Sequence, residues 1–174
     1  MRNSCKCLRK SIQIAAIFSI LGASTLSARI GETFNEIRER FGEPFNKFPD
    51  SGYVAWEIGA GLDYFVKFDE NHRSITEILE PRRPRTTISQ PQAERFLLAQ
   101  DETLSVVPRS RRSFSFAGET IDLLMELRFQ YYINAAGDVL AMTPLYSEID
   151  RIVVVSPAAM ELLKQRQEDE AVDF

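Results

Sequence analysis

Cysteine is nearly absent from this chain. The two cysteines among 174 residues are Cys5 and Cys7. Cys5-Lys6-Cys7 is too tightly spaced for the usual redox or zinc pairs, and no third cysteine completes a site. Histidine is scarcer still: His72 stands alone in a polar turn. One imidazole cannot supply the two or three of a typical zinc site. No Gly-x-Ser-x-Gly elbow offers His72 a serine, which removes the commonest hydrolase arrangement. Gly59-Ala60-Gly61 is too short for a phosphate-binding loop and leads into a strand-like run rather than a helix. These absences lead us to expect no catalytic residues, no cofactor and no metal.

Long apolar runs are also missing. Ile12 to Ala23 is the longest, about 18 Å as a helix against the roughly 30 Å of a bilayer core. Extending it to Ala28 nears spanning length, but Ser24, Thr25 and Ser27 weaken that end. What surrounds the run is informative. Arg2, Lys6, Arg9 and Lys10 precede it with no acid, and small residues follow it. That order reads as a secretory signal peptide over residues 1–28, with Leu26 and Ala28 at the recognition positions and a second possible cut after Ala23. A lipoprotein signal would place a cysteine after the apolar run, whereas Cys5 and Cys7 lie before it. The expected compartment is the periplasm or the extracellular space, with no stable membrane span after cleavage.

Loss of residues 1–28 removes four of the 21 Lys and Arg and no acid. The remaining 17 basic residues face 25 acidic ones, and the formal net charge moves from −4 to −8. An acidic chain of 146 residues is poorly suited to nucleic acid or anionic lipid as its main partner. It is long enough to bury about two-thirds of its unfolded surface without disulfides.

The expected mature chain opens with a clear helix, 33–41. Thr33-Phe34-Asn35-Glu36 has the spacing of a capping box, Phe34, Ile37 and Phe41 form one stripe, and Gly42 and Pro44 end it. Alternating runs at 53–58, 62–69 and 74–80, separated by turns at 59–61 and 70–73, predict an antiparallel meander. Pro81-Arg82-Arg83-Pro84-Arg85 breaks the pattern and marks 81–88 as a linker. A second helix starts after Ser89 and fades near Gln100. Residues 101–118 are ambiguous, with Phe114 and Phe116 alternating as in a short strand. A long strand is expected over 123–133, a hairpin loop at 134–138, a return at 139–143 and a further strand at 149–155. Pro157 opens a last helix, with Met160, Leu163 and Leu162 as its inward candidates, before an acidic tail at 169–174. The order predicts an α+β fold: a unit at 29–80, a second at 89–168, possible degenerate repeats of one another, and a C-terminal helix.

Residues 30–80 resemble the SmpA/OmlA-type small lipoprotein of the outer-membrane β-barrel assembly machine. The matching pieces are Gly31-Glu32-Thr33, the helix with Ile37, Phe41-Gly42-Glu43-Pro44, a strand with Trp56, Tyr64-Phe65-Val66-Lys67-Phe68-Asp69, and Ile75. The same plan is similar to the repeat unit of secreted β-lactamase-inhibitor proteins. The resemblance implies a fold. It differs from the lipoprotein in lacking the lipid-bearing cysteine and in leaving 88–174 unmatched.

Three candidate features remain. Glu57 and Asp63 are placed to flank one another across the first hairpin, as an acid–base pair would. Arg82, Arg83, Arg85, Arg109, Arg111 and Arg112 concentrate positive charge in two loops, a candidate anion or partner patch. Trp56, Tyr53, Phe65, Tyr131 and Tyr132 read as core and sheet-face aromatics rather than a sugar platform. The leading expectation is a non-enzymatic exported protein that presents a sheet face or loop to another envelope protein. The alternatives are a small secreted hydrolase using carboxylates and an inhibitor-like repeat protein.

Overall fold

A computed structural model describes residues 29–172 apart from 60, 84–85, 124–127 and 146–147. The expected leader and both cysteines lie outside the described residues, as do Arg85 and the last two residues of the tail. The fold is α+β with a C-terminal helix. In chain order it runs α1 (Phe34–Phe41), β1 (Asn46–Phe48), β2 (Tyr53–Glu57), β3 (Leu62–Phe68), β4 (Ser74–Pro81), α2 (Gln90–Gln100), β5 (Ser105–Val106), β6 (Ser113–Phe116), β7 (Glu119–Asp122), β8 (Phe129–Ile133), β9 (Leu140–Pro144), β10 (Ile152–Val155) and α3 (Pro157–Val172).

Eight strands form one antiparallel sheet in the order β1-β2-β3-β4-β10-β9-β8-β5, while β6 and β7 make a separate hairpin. Read inward from either edge, the sheet has the same plan. A helix and β1, β2, β3 and β4 answer to a helix and β5, β8, β9 and β10, with β6–β7 inserted in the second set. One cross-sheet row runs Lys47, Val54, Val66, Glu77, Val154, Ala141, Tyr132, Val106. Glu77 and Val154 stand at its middle, where β4 meets β10. The strands of 29–80 and 89–168, β6 and β7 apart, share one sheet, and Ile88, in the expected linker, is buried.

Each face has its own cover. On the inner face, α1 contributes Ile37 and α2 contributes Ala93, Phe96 and Leu97 to a core with Trp56, Tyr64, Val66, Leu79, Ile152 and Val154. Thr33 and Glu36 form the expected capping box, and Gly42 closes α1 with φ +82°. The Trp56 indole donates to the Gly42 carbonyl at 3.0 Å, fixing the helix end to β2. At the second helix, Gln92 Oε1 accepts from the Ser89 amide and hydroxyl at 2.9 and 2.7 Å. On the outer face, β6–β7 and α3 cover β8, β9 and β10 through Phe114, Phe116 and Ala159 on Tyr131, Leu140 and Val155. Lys164 of α3 pairs with Glu119 of β7 at 2.8 Å, joining the two covering elements.

Several expectations need correction. Leu163 points outward at 54% exposure, while Met160 and Leu162 pack on the outer cluster. The expected strand 123–133 is described as a strand only from Phe129; Leu123 is a turn after β7, and 124–127 lie outside the described residues. The last strand starts at Ile152, not Ile149. β1 and β7 were not anticipated. Lys67 pairs with Thr76 but Phe68 with Ser74, so Ile75 is an extra residue in β4. This bulge turns Ile75 to the outer cluster while Ser74 stays beside Glu77.

A candidate binding site on the open sheet face

The outer face over β1–β3 and the Ile78 end of β4 is built differently from that over β8–β10. Strand alternation puts Tyr53, Phe65 and Ile78 on this side, all half-buried. Phe48 of the edge strand stacks toward Phe65, with ring centroids 6.0 Å apart. The outer cluster built by α3 and the hairpin takes no residue from β1–β3. Aromatic and aliphatic side chains therefore meet solvent beside a covered half-sheet.

A cavity of about 560 Å³ opens at the boundary. Its floor is Met142 and Val153, neighbours across β9 and β10. Pro81, Pro144 and Phe129 add apolar wall, and Phe129 is 37% exposed. Glu80, Arg83, Thr86, Arg128, Asp150 and Arg151 supply the polar wall. Local bonding fixes these positions. Thr86 donates its amide and hydroxyl to the Arg83 carbonyl at 3.2 and 2.6 Å. The Leu145 amide donates to the Arg128 carbonyl at 2.9 Å, extending the β8–β9 ladder to the rim. The Ile88 amide donates to the Ile149 carbonyl at 2.6 Å, which ties the residue before Asp150 to Ile88. Arg151 and Glu80 pair at 2.6 Å. Arg83, Arg128 and Asp150 form no ion pair with any described residue.

The candidate arginines are thus divided. Arg83 lines the cavity, and Arg128 and Arg151, which sequence reasoning did not single out, join it. Arg82 instead bridges Glu57 and Asp63, each at 3.0 Å. Arg109, Arg111 and Arg112 belong to the β5–β6 connection and are not part of the cavity wall. Glu57 and Asp63 do face one another across β2 and β3, but the Arg82 guanidinium between them makes an ion-pair triad on the sheet surface. His72 is an exposed turn residue with φ +60°. Trp56 and Tyr131 are buried, and Tyr53, Phe65 and Tyr132 are half-buried on the sheet. Among the described residues no group of three or more His, Cys, Asp or Glu is placed to hold a metal, and no helix is long and apolar enough to cross a membrane.

A buried acid on the inner face also escaped sequence reasoning. Glu77 is fully buried at the centre of the sheet. Its carboxylate oxygens accept from the Ser74 hydroxyl at 2.8 Å and the Gln100 amide at 2.6 Å. Gln100 Oε1 and Ser74 Oγ in turn accept the Ile30 and Gly31 amides, each at 2.8 Å, which straps residues 29–32 to the core. Burial raises the Glu77 carboxyl to about 7, against the hydrogen bonds that favour its ionised form. The buried Tyr64 hydroxyl has no partner at full hydrogen-bond geometry. It lies close enough to Glu77 to be pushed well above its usual range, first by burial and then by that carboxylate.

No protein-family model and no curated protein matches the chain. Among solved structures it is similar to a cysteine-rich secretory protein from Staphylococcus aureus, with 14% identity and a TM-score of 0.37 over 73% of this chain and 44% of that one. It is also similar to a DUF4309 family protein from Bacillus subtilis, with 12% identity and a TM-score of 0.39 over 75% of this chain and 82% of that one. The chain therefore spans less than half of the first and most of the second. Likeness at this level carries no argument about function.

Proposed function

We propose that this is an exported, non-enzymatic binding module that meets a protein partner in the cell envelope through its outer sheet face. The observation that carries the reading is the uneven cover of that face: β8–β10 lie under α3 and a hairpin, while Phe65, Ile78 and Tyr53 stay partly open beside a charged cavity. Open apolar surface rimmed by charge is characteristic of interaction sites. Export is proposed from the basic start, short apolar run and small residues of 1–28. The resemblance of 30–80 to an envelope assembly lipoprotein supports the same compartment. The acid pair Glu57–Asp63 gives little support to a hydrolase, because Arg82 occupies the space between its members.

Two measurements test the proposal. N-terminal sequencing of protein recovered from the envelope or medium is expected to start at Arg29, and a full-length cytoplasmic product would refute export. A photoreactive residue in place of Phe65, activated in living cells, is expected to give a discrete adduct identified by mass spectrometry. The same residue in place of Arg95, on the exposed side of α2, should give none. Equal labelling from both positions would refute the assignment of the face. The repeated helix-and-four-strand plan favours an inhibitor-like module as the second reading. In that case the adduct contains an enzyme whose rate falls on addition of this protein.

A further inference from the structure

We infer that the boundary cavity takes the carboxyl-terminal end of a partner polypeptide, its carboxylate held by Arg83 and Arg128 and an apolar last side chain resting on Phe129 and Met142. The inference deepens the binding-module reading and rests on it. The first argument is charge. On a surface with an excess of acid, three guanidinium groups line one cavity, and two of them lack acidic partners among the described residues. Guanidinium groups match a carboxylate in planar, charge-assisted pairs.

The second argument is the neighbouring acid. Asp150 also lines the cavity and has no ion pair among the described residues, so the site offers an acceptor beside its donors. An inorganic anion or a fatty acid has no N–H to give it. A peptide carries amide N–H groups within a residue or two of its terminal carboxylate, and so uses both. The third argument is the floor. Met142 and Val153 with Phe129 offer apolar surface for one side chain, and Met is well suited to adapt to varied shapes. The volume is in the range of small-ligand sites and suits a few residues rather than a helix.

The test uses the whole mature chain with 13C-methyl-labelled methionine. The probe is N-acetyl-Gly-Ala-Ala-Phe with a free carboxylate, compared with its carboxamide, with laurate and with inorganic phosphate. The free-carboxylate peptide is expected to move the Met142 methyl resonance saturably and leave Met160 in place. The carboxamide should bind at least about tenfold more weakly, and so should the free peptide to an Arg83→Gln, Arg128→Gln double variant. Both positions are exposed, so this variant should keep the wild-type melting point. Asp150→Asn should weaken the peptide but not phosphate. Equal affinity for carboxylate and carboxamide, laurate as tight as the peptide, or a motionless Met142 would overturn the inference. An adduct at Phe65 with no peptide binding in the cavity would sink this inference alone; loss of both would sink the binding-module reading too.

Discussion

Glu77 stands directly opposite Val154 across the seam where the two halves of the sheet meet. One side of this central pair is a carboxyl with no cation among its hydrogen-bond partners; the other is a valine in the apolar core. The arrangement gives stability a definite pH dependence. The folded carboxyl titrates near 7 and the ordinary value is 4.5, so the folded state holds the proton more tightly. Stability is therefore full below about 4.5, falls as pH rises toward 7, and stays low beyond it. The difference amounts to about 3 kcal/mol. Chemical denaturation between acid and mildly basic pH should show this loss, and Glu77→Gln should flatten it. A wild-type curve that rises over the same interval would show that Glu77 is ionised in the fold.

Aromatic truncations should separate by burial. Phe96 is fully buried and meets Tyr64 edge-on with centroids 6.2 Å apart. Phe96→Ala should cost about 3–5 kcal/mol. Phe41 contacts the same tyrosine at 5.6 Å but is only half-buried, so Phe41→Ala should cost about 2 kcal/mol. Equal shifts in the denaturant midpoint would contradict this placement.

Asn134 holds the β8–β9 turn and the end of α2 together. Its Oδ1 accepts the Asp138 and Val139 amides at 2.9 and 3.0 Å, and its Nδ2 donates to Asp101 and Asp138 at 2.8 and 2.6 Å. Asn134→Ala leaves buried amides unpaired and should cost about 2 kcal/mol. Asp101, now held below the usual carboxylate range by Thr103 and then Asn134, should move upward. Carboxylate NMR titration checks the second point, and an unmoved Asp101 would count against the bond.

Arg82 should matter mainly at low salt. Its partners Glu57 and Asp63 sit at the sheet surface, where ion pairs are screened. Arg82→Gln is expected to lower the melting temperature slightly in dilute buffer and not at about 1 M salt, where the Debye length is only about 3 Å. A deficit that persists in salt would point to packing of the side-chain stem instead.

The parts legible in the sequence are those with a local cause. The Thr33–Glu36 cap, the Gly42-x-Pro44 stop and the alternation over 62–68 are encoded within a few residues of where they act. So is the Asn134–Asp138 turn. β1 carries no such signal, because its three residues are all exposed and pair with only one neighbour. Leu163 follows no usable stripe, since α3 packs through Ala159, Met160 and Leu162 instead. Glu77 looks like a solvent-facing residue of a strand, and only β10 and α2, distant in sequence, bury it. The cavity divides in the same way. Arg83 stood out in a basic cluster, whereas Arg128 and Arg151 reach it through strand pairing that no local pattern announces.

The seam also decides the order in which the molecule assembles. Tyr53 reaches Lys67 and Glu57 reaches Asp63 along a short stretch of chain, so the first hairpin closes a small loop. Thr76 must find Val155, 79 residues away. Each half can zip locally, but joining them requires the largest loop closure in the sheet, and contacts of that span are formed slowly. We expect the seam to be the last part of the ladder to form, in the step that takes Glu77 out of water. Interactions made in the rate-limiting step act on the rate of folding. In stopped-flow experiments the pH dependence should accordingly appear on the folding limb, so that raising the pH delays formation of the folded chain.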